Sequence, residues 1–233
     1  MIKTYNNDCL EYLQSQNCLD DFKGRKVILV SDPPFNVGYH YNEYKDDLTE
    51  EEYYSWLDDI LNSYDFKGRV IIHYPESLYK LSFQIGKFPT RVLSWVYNSN
   101  TARQHRDIAF FDVEPIMEQV KQPYKNPTDK RIKERIENGL GGATLYDWFN
   151  VNQVKNVSKR YNHPCIMPLE VMKKIIGVLP KDALIFDPFM GSATTALACM
   201  ELGYDFIGTE INEDYYEVAQ CRMKDFTTQP ELF

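Results

Sequence analysis

Two short stretches, far apart in the chain, carry side chains that could do chemistry. The first is Asp32-Pro33-Pro34-Phe35, which follows the apolar run Val27-Ile28-Leu29-Val30. The prolines cannot donate main-chain hydrogen bonds and hold the backbone extended, so neighbouring carbonyls can face a ligand. Asp32 and the Pro33 carbonyl can accept the two N–H bonds of an amine on a flat ring, while Phe35 stacks on the ring face. The second stretch is Asp187-Pro188-Phe189-Met190-Gly191-Ser192, between the apolar run Ala183-Leu184-Ile185-Phe186 and a helical run that stops at Gly203. Ser192 is expected to cap that helix. Asp205-Phe206-Ile207-Gly208-Thr209 then reads as a strand ending on Glu210. Strand, tight loop, helix, strand and terminal acid is the layout of a nucleotide-type pocket, with backbone N–H groups at a helix N-terminus and an acid for ribose hydroxyls. Only Gly191 occupies the loop, so the G-x-G-x-x-G spacing for a pyrophosphate is missing. The pattern favours an adenosine cofactor without a diphosphate. An ordinary βαβ unit with a glycine turn has the same outline.

These stretches need a scaffold, and the rest of the chain supplies one. Ile2–Tyr5, Arg69–His73, Arg91–Val96 and Asp107–Phe111 read as further strands. Helical runs alternate with them, one opened by the capping box Thr49-Glu50-Glu51-Glu52, which predicts an α/β fold with a mostly parallel sheet and helices on both faces. Asp8 follows the first strand, where it is either a ligand contact or a helix N-cap. Residues 36–47 are polar and tyrosine-rich and read as a lid. Residues 98–106 read as a surface loop ahead of the strand at Asp107, and its His105 is given no proton-transfer role. An amphipathic helix through Tyr216, Val218, Ala219, Cys221 and Met223 is expected to pack on the sheet.

A chain of 233 residues with 43% hydrophobic content suits one α/β domain with an insertion. No apolar run reaches membrane-spanning length, and the N-terminus lacks a charged-then-apolar leader pattern, so a cytoplasmic protein is expected. Five cysteines without Cys-x-x-Cys spacing fit reduced thiols rather than disulfides or a metal framework. A net charge of −8 argues against indiscriminate polyanion binding. The balance is uneven, however, because Lys121 to Arg160 carries nine Lys/Arg against four Asp/Glu. That stretch breaks the α/β rhythm with Pro123, Pro127, Gly139, Gly141 and Gly142, and interleaves Lys130, Arg131, Lys133 and Lys155 with Tyr124, Tyr146, Trp148 and Phe149. Basic groups can meet phosphates, and Asn152, Gln153 and Asn156 can bond base edges. A charged surface helix with a loop would read the same way.

The pair Asp-Pro-Pro-Phe after one strand and Asp-Pro-Phe-x-Gly-Ser after another resembles the S-adenosylmethionine-dependent DNA amino-methyltransferases, from Ile2 to Met223. Catalytic motif first and cofactor motif second is similar to their β group, whose Rossmann-like class I methyltransferase fold is circularly permuted. The resemblance implies a catalytic half (1–112), a target-recognition insert (113–160) and a cofactor-binding half of the same domain (161–233). It implies catalysis by Asp32, Pro33, Pro34 and Phe35. S-adenosylmethionine would be held by Asp8, His163, Asp187, Phe189, Gly191, Ser192, Thr194, Glu210 and Asn212, with no metal. Double-stranded DNA would meet Arg103, His105, Arg106, Lys130, Arg131, Lys133 and Lys155. The implied reaction is methylation of adenine N6 on a flipped base. Cytosine N4 is the alternative, although such enzymes more often carry Ser-Pro-Pro-Tyr. More distant alternatives are an RNA base, a protein amide and a silent DNA-binding subunit. A cognate restriction endonuclease or a second copy of the chain fits the same family as partner. Two departures stand out: Ala193 where the loop more often has glycine, and Met167 where the family's His-Pro-x-x-Lys-Pro motif has lysine. Pro164-Cys165 also resembles the nucleophile of cytosine-C5 methyltransferases, but that reading leaves Asp32-Pro33-Pro34-Phe35 unexplained and is rejected.

Overall fold

Apolar runs that are buried on both faces become interior strands of a mostly parallel sheet. The computed structural model describes residues 1–38, 47–153, 161 and 166–228. Most of the expected lid lies outside the described residues, as do Lys155, Asn156, His163, Pro164 and Cys165. The main sheet contains β1 (Ile2–Asn6), β2 (Lys26–Ser31), β3 (Gly68–His73), β4 (Arg91–Val96) and β5 (His105–Phe111). After a small hairpin, β6 (Lys121–Gln122) with β7 (Ala143–Thr144), it is completed by β8 (Trp148–Asn150), β9 (Ala183–Asp187) and β10 (Asp205–Glu210). The spatial order is β1-β10-β9-β2-β3-β5-β4-β8. Of these strands β5 alone runs against the others. The expected α/β fold with a mostly parallel sheet is what forms.

The side chains of β2 show how the sheet is clad, because successive residues of a strand point to opposite faces. Val27 and Leu29 join a cluster with α1 (Cys9–Leu13), α2 (Gln16–Phe22), α3 (Glu50–Asn62) and α4 (Pro75–Gln84). Ile28 and Val30 join the opposite cluster. There α6 (Leu169–Gly177), α7 (Thr194–Leu202) and α8 (Glu213–Thr228) cover the sheet, while α5 (Lys130–Glu137) buries no residue. The capping box at Thr49 forms as expected, with Thr49 Oγ1 and the Glu52 carboxylate satisfying each other's backbone N–H. Gly203 ends α7 with φ 73°, a left-handed conformation that suits glycine. No helix of the described residues is long and apolar enough to cross a membrane.

Three local expectations need correction, and one helix was not anticipated. Strand β5 begins at His105 rather than Asp107, because His105 and Arg106 pair with Val96 and Trp95 of β4 and extend the ladder into the expected loop. Helix α4 was not legible as a unit, although Pro75 sits in its first turn as helix starts allow. Ser192 does not cap α7: the N-cap is Ala193, at φ 63° with no side-chain cap bond, and the Ser192 hydroxyl is taken by Arg222. In α8 Ala219 is buried as expected, but Arg222 is turned inward beside it, whereas Cys221 is exposed. The stretch from residue 113 also gives strand β8 to the main sheet, with Leu145 and Phe149 buried and Val151 accepting a 2.7 Å bond from Trp95 Nε1.

Close packing beneath the second loop makes one glycine testable. A Cβ on Gly208 would lie 2.6 Å from Phe206 Cζ and 2.9 Å from Met190 Sδ. Gly208→Ala is expected to destabilise the protein by about 1–3 kcal/mol through overpacking, read as a lower urea midpoint. An unchanged midpoint would mean that Met190 and Phe206 repack freely.

Candidate active site

Strands β2 and β9 are hydrogen-bonded neighbours running the same way, with Lys26 opposite Ala183 and Leu29 opposite Phe186. The loops after them therefore leave the same edge of the sheet. One crossover proceeds towards β10 and the other towards β3, so the crevice between the two loops is a topological switch point, where open α/β sheets bind ligands. A pocket opens there. Asp32, Pro33, Pro34 and Phe35 line it from the β2 side. Asp187, Phe189, Gly191, Ser192 and Thr194 line it from the β9 side, and Asp8, Glu210 and Asn212 from the ends of their own segments.

The second loop is fixed by its own carboxylates. Asp187 is buried; its Oδ1 accepts from the Phe189 N–H at 3.0 Å and its Oδ2 from Thr195 Oγ1 at 2.6 Å. Burial pushes its carboxyl up to about 7, against the pull of those two bonds and with a push from Asp32 and Glu210. Glu210 accepts the Gly191 N–H on Oε2 and the Asn212 N–H on Oε1, both at 2.9 Å. Two backbone donors on the two oxygens fix the Glu210 carboxylate rigidly at the pocket wall. Asp8 is the N-cap of α1, its Oδ1 accepting from the Leu10 and Glu11 N–H groups, and the residue also lines the pocket.

The first loop holds a carboxylate that lacks a donor. Asp32 Oδ1 is buried and finds no hydrogen-bond partner among the described residues, while Oδ2 lies 3.8 Å from Arg106 Nη1. Burial pushes the Asp32 carboxyl up to about 6, and the nearby guanidinium works against that rise. Phe35 is enclosed by three groups. His73 stacks on it at 4.3 Å, Tyr74 meets it at 70° and 4.8 Å, and the Arg106 guanidinium lies over the ring at 4.6 Å. His73 in turn anchors the loop. Its Nδ1 accepts the Tyr74 N–H at 2.8 Å, which assigns the proton to Nε2, and Nε2 bonds Tyr53 Oη at 2.8 Å. Tyr53 then donates to the Pro34 carbonyl at 2.7 Å. Burial and the Arg106 charge hold the His73 pKa down, at about 3. The imidazole is a neutral strut.

The expected DNA contacts fall into separate groups. Arg106 belongs to the pocket itself. Arg103 is ion-paired with Glu76 and lies 4.1 Å over Tyr74, and His105 is exposed. Lys130, Arg131 and Lys133 stand on the exposed helix α5, outside the pocket. Sequence reasoning missed Tyr53, His73, Arg222 and Trp56, the last of which lines the pocket 5.3 Å from the Phe189 ring. His73 had a legible signal, as a polar residue at the carboxyl end of a buried strand; the other three lie on helices whose facing is set by packing.

Comparison with known proteins fixes the family. Residues 27–221 match a family model described as DNA methylase, covering the N6 and N4 methyltransferases. The chain belongs to this family. It is 25% identical over 218 residues to the type II methyltransferase M.HpaI of Haemophilus parainfluenzae, covering 84% of this chain and 67% of that protein. It is 26% identical to the DNA adenine methyltransferase YhdJ of Escherichia coli (strain K12), covering 84% of this chain and 75% of the relative. In fold it is similar to M1.HpyAVI in a SAM complex, with TM-score 0.63 and 19% identity over 95% of this chain and 100% of that one. The cytosine-N4-specific PvuII DNA methyltransferase superposes with TM-score 0.64 and 18% identity, over 95% and 86%.

Within this methylase fold, the Tyr53 hydroxyl is the link between the strut and the loop. Tyr53→Phe leaves the Pro34 carbonyl and His73 Nε2–H without their partner, which is expected to cost about 1–3 kcal/mol. Chemical unfolding checks the stability, and histidine NMR should show His73 neutral from pH 8 down to pH 5. A variant with wild-type stability would mean that the loop is held some other way.

Proposed function

We propose that this methylase transfers a methyl group from S-adenosylmethionine to adenine N6 in double-stranded DNA. The observation that carries the reading is Asp32 Oδ1, a buried carboxylate oxygen with no donor among the described residues, facing a pocket beside an aromatic ring. Such an oxygen costs stability unless a ligand satisfies it, and an amine on a planar base does so. Asp32 and the 26% identical relative named as an adenine methyltransferase support adenine over cytosine.

The donor set fits the cofactor. Asp8, Asp32, Asp187 and Glu210 all line the pocket and favour a cation such as a sulfonium. Glu210, held at the pocket wall by two backbone N–H groups, would accept from the ribose hydroxyls, and Asp187, Phe189, Gly191, Ser192 and Thr194 would surround the methionine portion. His163 is assigned to the same group by resemblance alone. When bound, the cofactor supplies a methyl group activated by positive sulfur.

The chain's own residues then do three things. Asp32 and the Pro33 carbonyl accept the two N–H bonds of the target amine, so the nitrogen pyramidalises and its lone pair is aimed. Once the nitrogen has gained its fourth bond it sheds a proton, and Asp32 Oδ1 is the adjacent base. Phe35 stacks on the base, which must be flipped from the duplex to reach this depth. Arg106 lies over Phe35 in the free protein and has to yield that place. Arg103, His105, Lys130, Arg131, Lys133 and Lys155 would meet the DNA backbone, with residues 113–160 as the recognition segment. A cognate endonuclease and self-association both fit this reading.

The test is nucleoside mass spectrometry of genomic DNA from cells expressing the protein. N6-methyladenine is expected, and Asp32→Ala should abolish it while purified variant still binds S-adenosylmethionine. N4-methylcytosine instead would keep the geometry and overturn the base, and the absence of both marks would overturn the proposal. Asp32 must be ionised to accept its hydrogen of the amine and then to take the released proton, and its pKa is raised, so protonation sets in below about 6. The kcat/KM for DNA should therefore fall about tenfold per pH unit below that point. A flat profile from pH 8 to pH 5 would remove the carboxylate from the mechanism.

A further inference from the structure

Helix α8 buries an arginine against the second loop. Arg222 is 1% exposed, and its Nη1 donates to the Ser192 carbonyl, to Ser192 Oγ at 2.7 Å and to Thr194 Oγ1 at 3.1 Å. Thr194 Oγ1 passes its own hydrogen to the Met167 carbonyl at 3.3 Å. Ser192 differs. Its oxygen is occupied as an acceptor, and among the described residues its hydrogen reaches no acceptor, although the residue is buried and lines the pocket. A hydroxyl that accepts from a cation is a strengthened donor. The structure thus holds a charge-assisted O–H at the wall of the pocket, waiting for an acceptor.

The rest of the pocket says which acceptor. Its carboxylates, Asp8, Asp32, Asp187 and Glu210, attract the sulfonium and ammonium of S-adenosylmethionine and repel its α-carboxylate. Among the described lining residues Arg106 is the one cation, and it sits at Asp32. Met167, beside Thr194, brings no charge. A carboxylate entering this field needs a positive group, and Arg222 is one that already grips the loop. We propose that Arg222 is the positioning residue through which Ser192 recognises the cofactor's α-carboxylate. The proposal rests on the cofactor assigned above. Burial lowers the guanidinium pKa only to about 10, so it stays charged at neutral pH. The same grip accounts for the missing helix cap: with Ser192 turned towards α8, Ala193 takes the left-handed turn into α7.

The test is binding by calorimetry, using the full chain with S-adenosylmethionine and with its decarboxylated analogue. Wild type should prefer the carboxylate-bearing ligand. Arg222→Met and Ser192→Ala should each weaken that ligand by about tenfold or more and leave the decarboxylated analogue within about twofold of its wild-type affinity. Arg222→Lys should restore part of the preference. Should Arg222→Met fail to fold, Ser192→Ala carries the same discrimination. Equal weakening of both ligands would overturn the proposal, as the mark of a merely structural arginine, and so would an unchanged preference. A wild-type protein that binds neither ligand would overturn the cofactor assignment instead.

Discussion

The parallel pairing of β2 with β9 is the constraint on which everything else depends. Adjacent strands lie about 4.8 Å apart, so two loops separated by about 150 residues of chain open onto one crevice. One loop ends in an unsatisfied carboxylate and the other in a left-handed turn under a helix N-terminus. Neither is a site alone. Register matters as well, because a one-residue slip would exchange the two faces of each strand. The alternating partition of Val27, Ile28, Leu29 and Val30 between two apolar clusters excludes such a slip.

Within that crevice, charge is arranged rather than merely collected. Asp187 is held by Phe189 N–H and Thr195, and Glu210 by Gly191 and Asn212, so their positions are set by the backbone before any ligand arrives. Asp32 receives no such support, and its pKa rises mainly by burial. Two kinds of acid result: Asp187 and Glu210, whose oxygens already accept protein donors, and Asp32, whose Oδ1 has none among the described residues. The strut from His73 through Tyr53 to Pro34 keeps the Asp32 loop in place without adding charge, since His73 is held neutral.

Much of this was legible in the sequence because it depends on local signals. Apolar runs ending in Asp32 and Asp187, the terminal acid Glu210, the capping box at Thr49 and the stop at Gly203 all appear where their residue types demand. What escaped depends on long-range partners. Ser192 looks like a helix cap by local rules, and only the arrival of Arg222 from a helix thirty residues later changes its role. Arg106 looks like a loop residue until β4 extends the ladder past Asp107 and turns its side chain onto Phe35. The inward placement of Arg222 beside an exposed Cys221 runs against hydrophobicity and follows from the polar loop beneath it.

Arg106 also ties the resting state to the proposed reaction. Its guanidinium is flat, donates hydrogen bonds, lies over Phe35 and approaches Asp32, which are the properties required of the target base. It differs in carrying a charge. While it is in place it opposes the rise in the Asp32 pKa and keeps the carboxylate ionised. On the proposed reading, a neutral base in the same position would remove that restraint, so the affinity of Asp32 for a proton would increase when an amine is ready to release one. In the free protein, the residue lying over Phe35 is thus also the one that holds Asp32 towards its ionised form.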